Sequence, residues 1–199
     1  MQIRGIVAGL FLALAAAMPA SAAPMTFRPV DLGDCRKSCT RALVAEGEII
    51  RDTDRAFLAA LRRAGRGRTV LLNSPGGDLA GGILLGIAFR EAGAKVGVVP
   101  GGGCYSACAY ALLGGVSRSV PRGSEVGVHE FADPDWRPGY KPPPHVQREN
   151  DAINGFLRGY ARAMGISPSI IGLAVRTRHD RIRVLSRSEL RRMRVVNGS

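Results

Sequence analysis

Lysine is nearly missing from this chain: Lys37, Lys95 and Lys141 are the only copies among 28 basic residues, set against 16 acidic ones. The formal charge of +12 is therefore an arginine charge. It clusters only at Arg62-Arg63, Arg176 to Arg183 and Arg187 to Arg194. No nucleic-acid motif accompanies these clusters, so a solvated basic face is expected and a specific nucleic-acid partner is not. Histidine is also scarce. His129, His145 and His179 are the whole supply of imidazole bases, and no convincing ligand set for a metal is present, so neither a metal nor a cofactor is expected. There is no internal repeat and no low-complexity linker that would divide the chain. After the N-terminus no second long apolar run occurs, which leaves no stable membrane anchor there.

The one apolar run that does occur has a specific layout. Arg4 precedes an apolar stretch from Gly5 to Met18, and Pro19-Ala20-Ser21-Ala22 follows with small residues suited to cleavage. The stretch is shorter than the ~20 residues that span a bilayer. Residues 1–22 are thus expected to be a cleaved signal peptide, with an exported mature chain starting near Ala23. No cysteine follows the cleavage site, which argues against a lipid anchor. Residues 23–199 suit one domain with its own core.

Within that domain, short apolar strands alternate with apolar helices, the pattern of an α/β protein. Arg41 to Ile50 reads as the first sheet strands. Asp52 and Thr53 cap a helix bearing Phe57, Leu58 and Leu61. Thr69 to Leu72 is a strand that runs into Asn73-Ser74-Pro75-Gly76-Gly77-Asp78, and a helix from Asp78 to Ala92 follows. A second such unit starts with the strand Lys95 to Val99. Pro100 and three glycines then turn the chain into Cys104-Tyr105-Ser106-Ala107-Cys108, read as the start of a helix to Leu113. Ser106 has two readings here, an N-cap or a nucleophile beside unpaired backbone N–H groups. Val126 to Phe131 reads as another strand with His129 near its end. Ala132 to His145, rich in proline, is either a flap over a groove or a surface loop. A helix from Val146 to Met164 carries an apolar stripe of Ile153, Phe156, Leu157, Tyr160 and Met164. Ser186 and Glu189 form a capping-box pattern, and Arg194-Val195-Val196 looks strand-like.

Four cysteines form two Cys-x-x-x-Cys pairs, Cys35 with Cys39 and Cys104 with Cys108. In an exported chain these suggest disulfides. At least one bridge involving Cys35 and Cys39 is expected. If Cys104 and Cys108 both sit at a helix start, bridging them would need local distortion. A four-thiolate zinc site is the rival reading, and free buried thiols remain open for the second pair.

The Ser-Pro-Gly-Gly turn, the Ser106 turn and Gly127-Val128-His129 resemble, in order and spacing, the Clp protease proteolytic subunit within the ClpP/crotonase superfamily. Closer still is the resemblance to the periplasmic ClpP-like proteins, and it runs from about Arg41 to about Val196. The resemblance implies a spiral of β-β-α units, a nucleophile at Ser106, a base at His129, and an oxyanion hole from the N–H groups around Gly76, Gly77 and Ala107. It also implies peptide or unfolded-protein substrates and a homo-oligomer associated through the helix from Val146. The family's catalytic aspartate would fall on Arg178, so Asp180, two residues on, is the candidate for the orienting acid; its alternative role is to pair with neighbouring arginines. Some superfamily peptidases use a serine-lysine dyad, for which Lys141 would be the candidate. Three functions follow as hypotheses: an exported serine hydrolase of peptidase type, a relative that binds without catalysis, and a crotonase-type acyl-CoA enzyme. Export disfavours the last.

Overall fold

The computed structural model describes residues 23–65, 68–131, 137 and 140–198. The expected signal peptide and most of the proline-rich loop after His129 lie outside the described residues. Among the described residues, two β-sheets and six helices make one mixed α/β unit.

The first sheet is built on consecutive parallel strands. Strand β1 (Thr26–Leu32) pairs antiparallel with β2 (Thr40–Glu46), and β2 is followed by helix α1 (Thr53–Ala64). Strand β3 (Thr69–Asn73) lies parallel to β2 and leads into helix α2 (Leu79–Glu91). Strand β4 (Lys95–Val98) pairs parallel with β3. The chain then leaves this sheet, forms β5 (Gly103–Tyr105) and helix α3 (Ala107–Leu113), and returns as β6 (Ser117–Ser119), parallel to β4. The second sheet is β5, β7 (Glu125–Val128) and β8 (Arg183–Val184) in the order β5-β7-β8. Helices α4 (Pro144–Ala163), α5 (Ser169–Val175) and α6 (Arg187–Arg192) complete the chain.

The elements form where the apolar residues dictate. Val70 and Leu72 turn one face of β3 into the core, Val96 and Val98 of β4 are buried beside them, and the whole of α3 is enclosed. Phe57 of α1 meets Phe89 of α2 edge-on, with ring centroids 4.7 Å apart. Asp78 caps α2, its carboxylate accepting from the Gly81 N–H at 2.6 Å. The capping box of Ser186 and Glu189 is present as expected. Buried Arg118 of β6 donates to the carbonyls of Val195, Gly115 and Arg194, which fastens the C-terminal segment to the sheet. This segment is a turn with Arg194 at φ 59°, not the expected strand.

Strand β1 was not expected from the sequence, because Pro29 interrupts it. As an edge strand it needs hydrogen bonds on one side only, which is where proline is tolerated. The stripe on α4 divides: Leu157, Tyr160 and Met164 are buried in the core, while Ile153 and Phe156 stay exposed. Among the described residues no helix is long and apolar enough to cross a membrane.

Burial sets the alkaline limit of this core. The Tyr110 hydroxyl is pushed up to about 12, and that of Tyr160 is raised as well, both mainly by desolvation. An unfolded chain loses these protons near the ordinary value of 10.0, before the folded one does. Stability supplied by the neutral hydroxyls is therefore complete below pH ~10 and is lost as pH rises toward 12. Urea unfolding at pH 8, 10 and 11 should show midpoints falling only above pH ~10, with the fall reduced in Tyr110→Phe.

Candidate active site

Ser106 sits on a sharp bend between β5 and α3, with φ 55° and ψ −122°. A non-glycine residue rarely holds positive φ, and such strain is stored at functional positions. This bend argues against the capping reading of Ser106. Its hydroxyl makes no capping hydrogen bond, and its backbone is not in the extended region that an N-cap adopts. The hydroxyl is left half-buried at the wall of a cavity of about 220 Å³, lined by Gly77, Leu79, Ser106, Tyr110, His129 and Phe131.

Sheet register brings His129 there. Strands β5 and β7 run parallel with Tyr105 opposite Gly127, and the Ser106 N–H donates to the Gly127 carbonyl at 3.0 Å. Two residues past Gly127, the imidazole emerges level with the start of α3, on the same cavity as Ser106. The buried Val126 and Val128 fix that end of the strand. His129 Nδ1 is hydrogen-bonded to the Glu130 carbonyl. A carbonyl can only accept, so in neutral imidazole Nδ1 carries the proton and Nε2 keeps its lone pair. This is the tautomer a general base requires. No hydrogen bond joins Ser106 Oγ to His129, and catalytic contacts of this kind often tighten only with substrate bound.

The second turn supplies the N–H groups. Gly76 and Gly77 have φ +108° and +131°, values open to glycine and strained for other residues. The Gly76 backbone lies against the bend, where an added Cβ would come within 2.7 Å of Ser106 Cβ. Ile49 bridges Gly77 in parallel fashion: the Ile49 N–H donates to the Gly76 carbonyl, and the Asp78 N–H donates to the Ile49 carbonyl. In such a bridge the N–H of the central residue, Gly77, points away from Ile49. Neither Gly77 nor Ala107 has a hydrogen-bond acceptor for its N–H among the described residues. Gly76 differs from expectation, since its N–H donates to the buried Ser74 hydroxyl at 3.1 Å. The N–H groups left open beside the bend are thus those of Gly77 and Ala107. Ser74 was missed as a brace; a small polar residue buried between a strand and a Pro-Gly-Gly turn is its signal. Asn73 braces the same turn, donating to Glu46 Oε1 at 2.8 Å and accepting from the Gly103 N–H at 3.2 Å.

Asp180 is not brought to His129. Its carboxylate pairs with Arg178 Nη2 at 2.6 Å in an exposed turn, the alternative its arginine-rich surroundings offered. His145 is exposed at the start of α4 and Lys141 is exposed just before it; neither lines the Ser106 cavity. His179 is half-buried, with Nδ1 3.9 Å from Glu130 Oε1.

A disulfide is present as expected, but not at the expected pair of cysteines. Cys104 and Cys108 are joined in a disulfide, while Cys35 and Cys39 are exposed free thiols in the hairpin between β1 and β2. The expectation failed because Cys104 belongs to β5 and not to a helix. The bend at Ser106 folds the two Cα atoms to 5.1 Å, within disulfide range. The zinc reading with four thiolates falls with it. Asp31, Cys35 and Cys39 do bring three potential ligand atoms within 4.8 Å of one another, all exposed and none lining the Ser106 cavity. A hydrogen bond with Cys39 and partial desolvation push the Cys35 thiol up to about 11. Peptide mapping without reductant should recover Cys104 linked to Cys108. Iodoacetamide should alkylate Cys35 slowly at neutral pH and faster toward pH 11, because the thiolate is the nucleophile.

With its two sheets, its turn of paired glycines and its serine bend, the chain has the ClpP/crotonase-like fold. No family model and no curated protein matches it. Among solved structures it is similar to the 1510-N membrane-bound stomatin-specific protease in a serine-to-alanine mutant: TM-score 0.58, 17% identity, 76% of this chain and 74% of that one. A lysine-to-alanine mutant of the same protease, in complex with a substrate peptide, aligns with TM-score 0.53 and 16% identity over 76% of this chain and 70% of that one. At such identities the likeness establishes the fold.

Proposed function

We propose that this protein is an exported ClpP-like serine hydrolase acting on peptides or unfolded polypeptide. Ser106 Oγ attacks the acyl carbon while His129 Nε2 takes its proton, and the N–H groups of Gly77 and Ala107 receive the developing oxyanion. The imidazolium then returns the proton to the leaving group, and water repeats the cycle on the acyl-enzyme. The observation that carries this reading is the uncapped, positive-φ Ser106 sharing a cavity with His129, whose Nδ1–H is already committed to a carbonyl. A fluorophosphonate probe tests it: mass spectrometry should place the adduct on Ser106, and absence of label under conditions that label a known serine hydrolase would sink the proposal.

The Glu130 carbonyl, and not Asp180, takes the orienting role in this scheme. Asp180→Asn is accordingly expected to keep turnover close to that of the parent, against the roughly 10⁴-fold loss that removing an orienting carboxylate brings to a triad. A serine-lysine dyad gains interest from the neighbour solved as a lysine mutant with a substrate peptide. Yet Lys141 is exposed, and a catalytic lysine needs desolvation to lose its proton. Steady-state rates for Asp180→Asn and Lys141→Ala separate the schemes, since the dyad requires loss of activity in the second. Release to the periplasm after removal of residues 1–22, and self-association through the exposed Ile153 and Phe156 of α4, belong to the same proposal.

A further inference from the structure

A second cavity, of about 240 Å³, adjoins the first and shares Phe131 as a wall. Its lining is of opposite character to the rest of the protein. The chain carries 28 basic residues against 16 acidic ones, yet no lysine or arginine lines this cavity among the described residues. Instead Glu130 and Asp151 do, with Asn150, Asn154 and His179.

We propose that this cavity is an acidic subsite for the side chain of a lysine or arginine in the substrate polypeptide. The inference rests on the hydrolase reading above for the word substrate, though not for the binding itself.

Position and chemistry both support it. Glu130 directly follows His129; its N–H donates to the Thr177 carbonyl at 2.8 Å and its own carbonyl holds the imidazole. Its backbone is thereby fixed beside the catalytic base, and its carboxylate, 35% exposed with His179 Nδ1 3.9 Å from Oε1, is partly shielded yet reachable. Across the cavity, Asp151 Oδ1 accepts from Gln147 Nε2 at 3.2 Å, which restrains the second carboxylate. Phe131 and Val175 supply apolar walls for the aliphatic stem of a long cationic side chain, and the amide oxygens of Asn150 and Asn154 add acceptors for its head. Tyr140, another wall, already carries a guanidinium: Arg137 lies 5.3 Å from its ring centroid.

The test is an NMR titration of the mature Ser106→Ala protein with N-acetyl-arginine methylamide and with its norleucine counterpart, reading the side-chain amides of Asn150 and Asn154. Saturable shifts are expected with arginine, and binding about tenfold weaker with norleucine, the scale that two partly exposed ion pairs provide. The preference should vanish in Glu130→Gln/Asp151→Asn. Equal affinity for the two ligands, no saturable shift, or a preference that survives the double substitution would overturn the subsite. Fluorophosphonate labelling of the parent protein reports separately on Ser106. A cation preference without labelling removes the hydrolase reading and keeps the subsite; labelling without the preference does the reverse.

Discussion

Ser106→Ala is expected to lower hydrolysis of an unstructured fluorogenic peptide by roughly 10⁴-fold or more, and His129→Ala to come close to the same loss. The two residues act as one unit, so the double variant should be scarcely worse than either single one. What distinguishes this from general damage is the backbone at position 106. Alanine keeps the Cβ and the positive φ of serine, and the hydroxyl makes no cap bond that could be lost, so the unfolding midpoint should barely move. Ser106→Gly goes further, because glycine holds φ 55° without the penalty of a Cβ. It should be as inactive as the alanine variant yet more stable by about 1 kcal/mol. Urea unfolding beside the peptide assay checks both. A Ser106→Gly protein less stable than its parent would show that the bend stores no strain, and retained turnover in Ser106→Ala would remove the nucleophile.

The largest stability loss is expected at a residue far from the chemistry in sequence, Gly86 on α2. Here α2 and α3 approach so closely that a Cβ on Gly86 would overlap the Tyr160 hydroxyl and stand 3.1 Å from the Tyr110 carbonyl oxygen. That hydroxyl is buried and donates to the same carbonyl at 2.9 Å. Gly86→Ala therefore does two things, overfilling the helix contact and breaking a buried hydrogen bond. Overpacking costs roughly 1–3 kcal/mol and an orphaned polar group a similar amount, so a loss of about 3 kcal/mol is expected. For a chain of this size that lowers the thermal midpoint by roughly 6–12 °C. Tyr160→Phe alone should cost about 1 kcal/mol, the net value of one hydrogen bond. Combined with Gly86→Ala it should recover part of the loss, since the overlapping oxygen is gone. Strict additivity in that cycle would show that the two residues do not meet. Because α3 carries the serine bend at its start, Gly86→Ala should also slow fluorophosphonate labelling.

Much of the scaffold was legible because apolar spacing differs between strands and helices. The strands before both glycine turns, the helix after Asp78 and the capping box at Ser186 all lie close to where the spacing puts them. Boundaries failed where one residue type serves two conformations. Cys104 looked helical from the apolar run behind it, but the chain holds it in β5 through pairing with Val126, a residue 22 positions away. That single displacement reversed the disulfide expectation. Strand β1 was invisible because Pro29 argues against a strand unless the strand is known to lie at an edge.

For the site, the sequence by itself determined the chemical inventory: one serine after a glycine-rich turn, a second turn able to take positive φ at two adjacent residues, and three histidines from which a base could come. Those choices are local, since they depend on residue type and on the few dihedrals each type allows. Only the tertiary structure decided which histidine shares the serine's cavity, that Gly76 N–H goes to Ser74 while Gly77 N–H stays open, and that Asp180 turns to Arg178. These are pairings between segments distant in the chain. The parallel register of β5 with β7 and the bridge of Ile49 to Gly77 set them, and no property of an isolated segment encodes a register.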